Sequence, residues 1–256
     1  MDLATLTYDR AVPTPPVKAH VTRVRDIVGE EDRRVRRRSI SRPLIVATAL
    51  ELVDAGGPRG CTMQALAARL EVTPRARSRH VANKDDLLRG VAHLVLSDMA
   101  LPDPARPWRE RLRHAGFELR RVLRAHPRAA VLCAAQRSTV FPAVIPVADA
   151  VIRVFRELGL PDEAGVRFAH ALGNYAHGYA MAENDWYLRP DEPPVVDPLG
   201  GIDPALVPLA AANTAFFVRF ANDGLFASDE QFAFGLDLLI DGVAARRDPR
   251  EDRRTR

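Results

Sequence analysis

TMQALAARLEVTPRARSRHV, residues 62–81, is the stretch on which the fold turns. Thr62 suits an N-cap, because its hydroxyl can accept from a free amide of the first turn. Leu66, Ala67 and Leu70 then recur at helical spacing. Glu71-Val72 makes a turn. Thr73-Pro74 opens a second short helix carrying Arg75, Arg77, Arg79 and His80. From 62 to 82, four arginines stand against one acid, Glu71. Two short helices around a tight turn are the grammar of a helix-turn-helix. Its second helix lies in the major groove while the first crosses the backbone. Arginine suits both phosphates and guanine edges. The competing reading is a basic helical surface that binds no nucleic acid, and the pattern alone leaves the two even.

Moving outward, Ser41 caps an earlier helix with Pro43 in its first turn. Ile45, Ala49, Leu52 and Val53 recur along it, and Gly56-Gly57-Pro58 ends it. On the other side Asn83 caps a longer helix, with Asp85 and Asp86 opposing the dipole. Further out, RRVRRR (33–38) puts five arginines in six positions. Such a block repels itself and is usually solvated. It is either a plain leader or an arm that neutralises DNA phosphates.

Composition narrows the class. Of 256 residues, 37 are Lys or Arg, and only Lys18 and Lys84 are lysine. Residues 1–40 carry nine basic against six acidic side chains, residues 41–100 eight against six, and residues 101–256 20 against 21. The net charge of +4 therefore sits in the first hundred residues, where a polyanion surface is expected. The 47% apolar content supports a packed core. Cys61 and Cys133 are too few for a disulfide framework or a four-thiolate zinc site, which fits a reducing cytoplasm. No apolar run reaches the roughly 18–20 residues of a membrane span. The opening MDLATLTYDR lacks the charge pattern of a secretory leader.

Beyond the proline-rich LPDPARP (101–107), helices are expected near 108–126, 128–138, 142–158, 162–187, 204–221 and 229–247, with a surface loop at 189–201. No strand alternation is sustained, so the fold class is all-α. In 162–187, Phe168, Leu172, Tyr175, Tyr179 and Ala182 form one apolar face. His170, Asn174, His177, Met181 and Asn184 lie nearly opposite. Imidazoles, amides and methionine in place of charges suggest a helix enclosed on both sides, one side a ligand pocket. Phe117, Leu119, Cys133, Gln136 and Phe141 supply other walls in that reading. Either histidine taken alone is more simply a hydrogen-bonded side chain with no ligand. The last helix aligns Phe232, Gly235, Leu236, Leu239, Gly242 and Val243 on one side, for packing on a symmetry copy or within the chain. No Walker loop, dinucleotide fingerprint or nucleophile motif is present. No cofactor and no metal are expected, since two histidines seven apart without a carboxylate between them make a poor site.

RPLIVATALELVDAGGPRGCTMQALAARLEVTPRARSRHVANKDDLLRGVAHLVL, about 42–97, resembles the DNA-binding domain of the TetR/AcrR family of bacterial repressors. PWRERLRHAGFELRRVLRAHPRAA, HGYAMAEND and FAFGLDLLIDGV are similar to the tetracycline-repressor-like C-terminal domain. The resemblance implies that Thr62 caps its helix on a phosphate and that Gln64 sits near base edges. Thr73, Arg75, Ala76 and Arg79 would face the groove, with Ser78 at the position of a phosphate-touching aromatic. His80 and Lys84 would touch backbone. It also implies dimerisation through the 162–187 and final helices. Three departures stand out. Glu71 replaces a turn glycine, Arg77 an inward apolar residue, and Ser78 a tyrosine. The magnesium-holding histidine and glutamate of tetracycline repressors fall near Cys133 and Ala182, neither of which suits magnesium.

The expected organisation is a 1–39 Arg-rich extension and a 40–100 three-helix helix-turn-helix domain with its connecting helix. A 101–248 helical ligand-binding and dimerisation domain follows, then a charged 249–256 tail. The expected function is a one-component transcriptional regulator, a repressor. It would bind operator DNA through 62–82 as a cytoplasmic homodimer and be released by a small molecule near Phe117, Cys133, Gln136, His170, Asn174, His177 and Met181. The alternative is a repressor-like protein with degraded DNA reading that binds or transforms a small molecule, with His170 or His177 as acid or base.

Overall fold

The computed structural model describes residues 41–71, 80–135, 142–188, 196–222 and 228–246. Helix α1 spans Arg42–Gly60, and Ser41 Oγ accepts from Leu44 N at 3.4 Å at its start. It is two helices joined across a kink. Gly57 has φ 69° and ψ 177°, followed by Pro58, so the continuous helix stops where the glycine pair said it would. That left-handed φ costs glycine little because it has no Cβ. α2 is Met63–Leu70, with Thr62 Oγ1 accepting from Ala65 N at 3.0 Å. α3 is Lys84–Leu96, with Asn83 Oδ1 accepting from Asp86 N at 2.9 Å.

After the proline break come α4 (Trp108–Ala125), α5 (Pro127–Ala135), a 3-10 turn at Pro142–Val144 and α6 (Ile145–Glu157). Then come α7 (Asp162–Leu188), α8 (Pro208–Ala212), α9 (Thr214–Asn222) and α10 (Asp229–Ala244). No strand occurs among the described residues. The single helix expected near 204–221 is broken into a 3-10 turn, α8 and α9. Pro208 has no amide to donate, and Asn213 leaves helical geometry at φ −112° and ψ 14°.

Ile45, Ala49 and Val53 of α1 meet Leu66 of α2 and Leu87 and Val91 of α3 in a fully buried cluster. α1 and α3 also pack on α5, so the N-terminal helices share their core with the C-terminal ones. There α7 is central, touching α4, α5, α6 and α10. The tyrosines of its apolar face fasten α10. Tyr175 donates to Phe232 O at 2.8 Å and Tyr179 to Ser228 O at 2.9 Å. Gly235 faces Tyr175, and a Cβ there would strike the phenol, so this glycine serves packing within the chain. Ala182 is exposed, and Ala176, Ala180 and Glu183 are buried in its stead. No described helix is long and apolar enough to cross a membrane.

Candidate nucleic-acid interface and effector face

At the head, the Thr62 hydroxyl caps α2, and Thr62 and Gln64 are both exposed on its opening turn. Leu66 faces inward, fully buried. Glu71 closes α2 at φ 53° and ψ 43°, the one non-glycine with positive φ among the described residues. The departure from glycine thus falls where left-handed backbone is required. Thr73, Arg75, Ala76, Arg77, Ser78 and Arg79 lie outside the described residues.

His80 is the next described residue, and Arg42 fixes it in place. Arg42 donates to His80 O at 2.9 Å and grips Asp86 with two bonds of 2.7 and 3.0 Å. Asp86 also accepts from Ala82 N at 3.0 Å. Hydrogen bonds from Arg42 and Ala82 bring its carboxyl down to about 2. Lys84 is half-buried in the first turn of α3. Both flanks of segment 72–79 are therefore tied down, by the Glu71 turn on one side and the Arg42–Asp86 pair on the other.

The α7 stripe divides. His170 and Asn174 are exposed, with His170 Nε2 and Asn174 Nδ2 3.0 Å apart. His177 is half-buried, with Nδ1 2.9 Å from Gly173 O. Its Nε2 is buried with no partner among the described residues. Burial holds this imidazole below its ordinary pKa, so it is neutral at pH 7. Met181 and the buried Asn184 line an open cleft. Phe117 stands elsewhere, edge-on to Phe232 at 4.9 Å. The Cys133 thiol is buried near Ala129 O and Ala92 O at 3.9 and 4.0 Å, and burial pushes it up to about 12. Such a thiol is a poor nucleophile and a poor metal ligand. Gln136 and Phe141 lie outside the described residues. The structure thus brings Met181 and Asn184 together but places Phe117 and Cys133 in separate parts of the core.

The matching family model is that of the tetracyclin repressor-like C-terminal domain, over residues 101–247. An HTH-type transcriptional regulator of Saccharopolyspora erythraea is 33% identical over 207 residues, covering 78% of this chain and 83% of the relative. The chain belongs to the TetR family of transcriptional regulators. Among solved family members, ActR of Streptomyces coelicolor in complex with actinorhodin is similar at 25% identity and TM-score 0.63, over 83% of this chain and 99% of ActR. BioQ with its double-stranded DNA operator is similar at 26% identity and TM-score 0.58, over 81% of this chain and all of BioQ.

One feature of this TetR-family core escaped the sequence reading. Arg120 of α4, 2% exposed, donates to Glu183 of α7, 0% exposed, at 2.8 and 3.0 Å. It also reaches Asp229 at the start of α10 at 2.7 Å and lies over the Phe232 ring at 4.8 Å. The signal was present. Arg120 follows Gly116 by four in the buried row of α4, and Glu183 follows Tyr179 by four in that of α7. A charge in an apolar row calls for a partner.

Proposed function

We propose that the protein is a ligand-responsive repressor that reads operator DNA as a two-fold dimer. The observation that carries this is the framing of segment 72–79. A left-handed turn at Glu71 on one side, and on the other Arg42 bonded to His80 O and Asp86, fix the flanking residues on the α1–α3 core, which itself packs on α5. An effector in the C-terminal helices then needs only to prefer the arrangement that fits the operator poorly. ActR bound to actinorhodin and BioQ bound to its operator support both halves by similarity.

Dimerisation rests on α7 and α10, which touch and leave Val166, Phe234 and Leu238 at 54%, 62% and 60% exposure. A pair of heads about one helical turn of DNA apart reads enough base pairs, and one head does not. Phe234→Glu should give monomers in light scattering and lose tight DNA binding. Retained dimers would remove this interface.

The decisive experiment is a mobility shift against DNA upstream of the protein's own gene at two salt concentrations. Sequence-selective binding that weakens steeply with salt supports the proposal. No binding at low salt refutes it. The second reading, a head that has lost sequence reading, is favoured by Glu71. It puts an anion and a costly φ at the turn that closes α2. If Arg77→Leu with Ser78→Tyr creates binding where none existed, that second reading stands.

A further inference from the structure

The ends of the head and of the core meet at an open cleft of about 250 Å³. Gly57 and Pro58 of α1 form one wall, Pro127, Arg128 and Val131 of α5 another, and Met181 and Asn184 of α7 the third. None of the α7 histidines lines it. Asn184 is 4% exposed, yet its Nδ2 is buried and has no hydrogen-bond partner among the described residues. A buried donor left unpaired costs about 1–3 kcal/mol; Nδ2 is covered in this structure, so an acceptor in the cleft recovers that loss once the amide turns about χ2 to present it. The second polar group in the lining is also a donor. The Arg128 guanidinium gives one N–H to Asp54 O at 2.7 Å and has others to spare. Among the described residues no acidic side chain lines the cleft, and the rest of the lining is apolar or backbone.

We propose that this cleft is an effector site for a small aromatic carboxylate. The ring system lies on Pro58, Val131 and Met181. The carboxylate faces Arg128 and accepts from Asn184 Nδ2 after that amide has turned toward the cleft. The site's position gives it a regulatory consequence, which rests on the ligand-responsive reading above. Its walls come from both the head and the core. The head wall is the kink at Gly57, just past Asp54, where His126 and Arg128 fasten α1 to α5 at 2.8 and 2.7 Å. A ligand wedged here bears directly on the contact that sets the angle of α1, and so of the reading head.

The test uses sodium 1-naphthoate and calorimetric titration of the full chain. The cleft is small and open on one side, so a dissociation constant on the order of 1 mM or somewhat tighter is expected. The uncharged 1-naphthalenemethanol should bind at least fivefold more weakly. Asn184→Leu keeps the volume and removes the donor, and should weaken naphthoate at least fivefold. Val131→Trp fills the cleft from its half-exposed rim and should abolish binding, with unchanged circular dichroism showing that the variant folds. Absence of saturable binding at 10 mM overturns the site, as does equal affinity in wild type and both variants. DNA affinity is then measured with and without naphthoate. Binding in the cleft that leaves DNA affinity unchanged upholds the site and overturns its regulatory role. DNA release by some other compound, undiminished in Val131→Trp and with no naphthoate binding, overturns the site while the ligand-responsive reading survives.

Discussion

Replacing Glu71 separates a backbone effect from a charge effect at the turn of the reading head. The residue holds φ 53° and ψ 43° at the C-terminal end of α2 and is exposed. Left-handed backbone costs an L-residue about 1–2 kcal/mol. Glycine escapes that cost but loses about 0.5–1 kcal/mol through its extra freedom in the unfolded chain. The backbone part of Glu71→Gly is therefore a gain of about 0.5–1 kcal/mol. Glu71 also places an anion at the negative end of the α2 dipole, and removing it adds about 0.3 kcal/mol. Glu71→Gln keeps the Cβ and removes only the charge. Urea unfolding at fixed protein concentration measures both, with an unchanged slope required for the comparison. Glu71→Gly should exceed Glu71→Gln by about 0.5–1 kcal/mol, a rise of roughly 1–4 °C in Tm. Equal effects of the two substitutions would mean that the strain of the left-handed turn is no larger than glycine's own loss, and the reasoning fails.

Three further outcomes are expected. Glu183→Ala removes the buried partner of the Arg120 guanidinium, which keeps Asp229, and should destabilise by about 3–5 kcal/mol, with Arg120→Met in the same chain recovering at least half; purely additive losses would show that the pair is not coupled. Asp86 sits at about 2. Its contribution is therefore present above the ordinary carboxylate range and lost as pH falls from about 4 toward 2. The side chain is 21% exposed, so solvent limits the effect to about 1 kcal/mol. Asp86→Asn should flatten the acid limb of the stability profile, and an unchanged limb contradicts the assignment. His177 has the opposite chemistry with the same sign. Its buried imidazole resists protonation while the unfolded chain takes a proton near pH 6.5, so stability declines as pH drops below that value. His177→Leu should lose less stability than wild type between pH 7.5 and 5.5, as read by thermal unfolding.

Much of the fold was legible because its signals are local. Ser41, Thr62 and Asn83 cap the helices they precede, and Gly57 breaks α1 where a glycine pair and a proline announce it. The turn at Glu71 was legible through the resemblance, which puts at this position a glycine suited to left-handed backbone. Site residues were harder to place. Periodicity put His170, Asn174, His177, Met181 and Asn184 on one stripe, but a stripe does not say which neighbour covers it. The first two are exposed, the third is half-buried, and the last two border the head.

The sequence by itself determined the helical class, the helix-turn-helix grammar and the concentration of positive charge in the first hundred residues. Each depends on spacing along the chain or on counting. The tertiary structure alone decided that Arg120 and Glu183 neutralise each other in the core, that Gly235 makes room for Tyr175, and that the end of α1 shares a cleft with α5 and α7. These contacts join residues tens to more than a hundred positions apart. Helical period fixes which face a side chain occupies, but only packing fixes what that face meets.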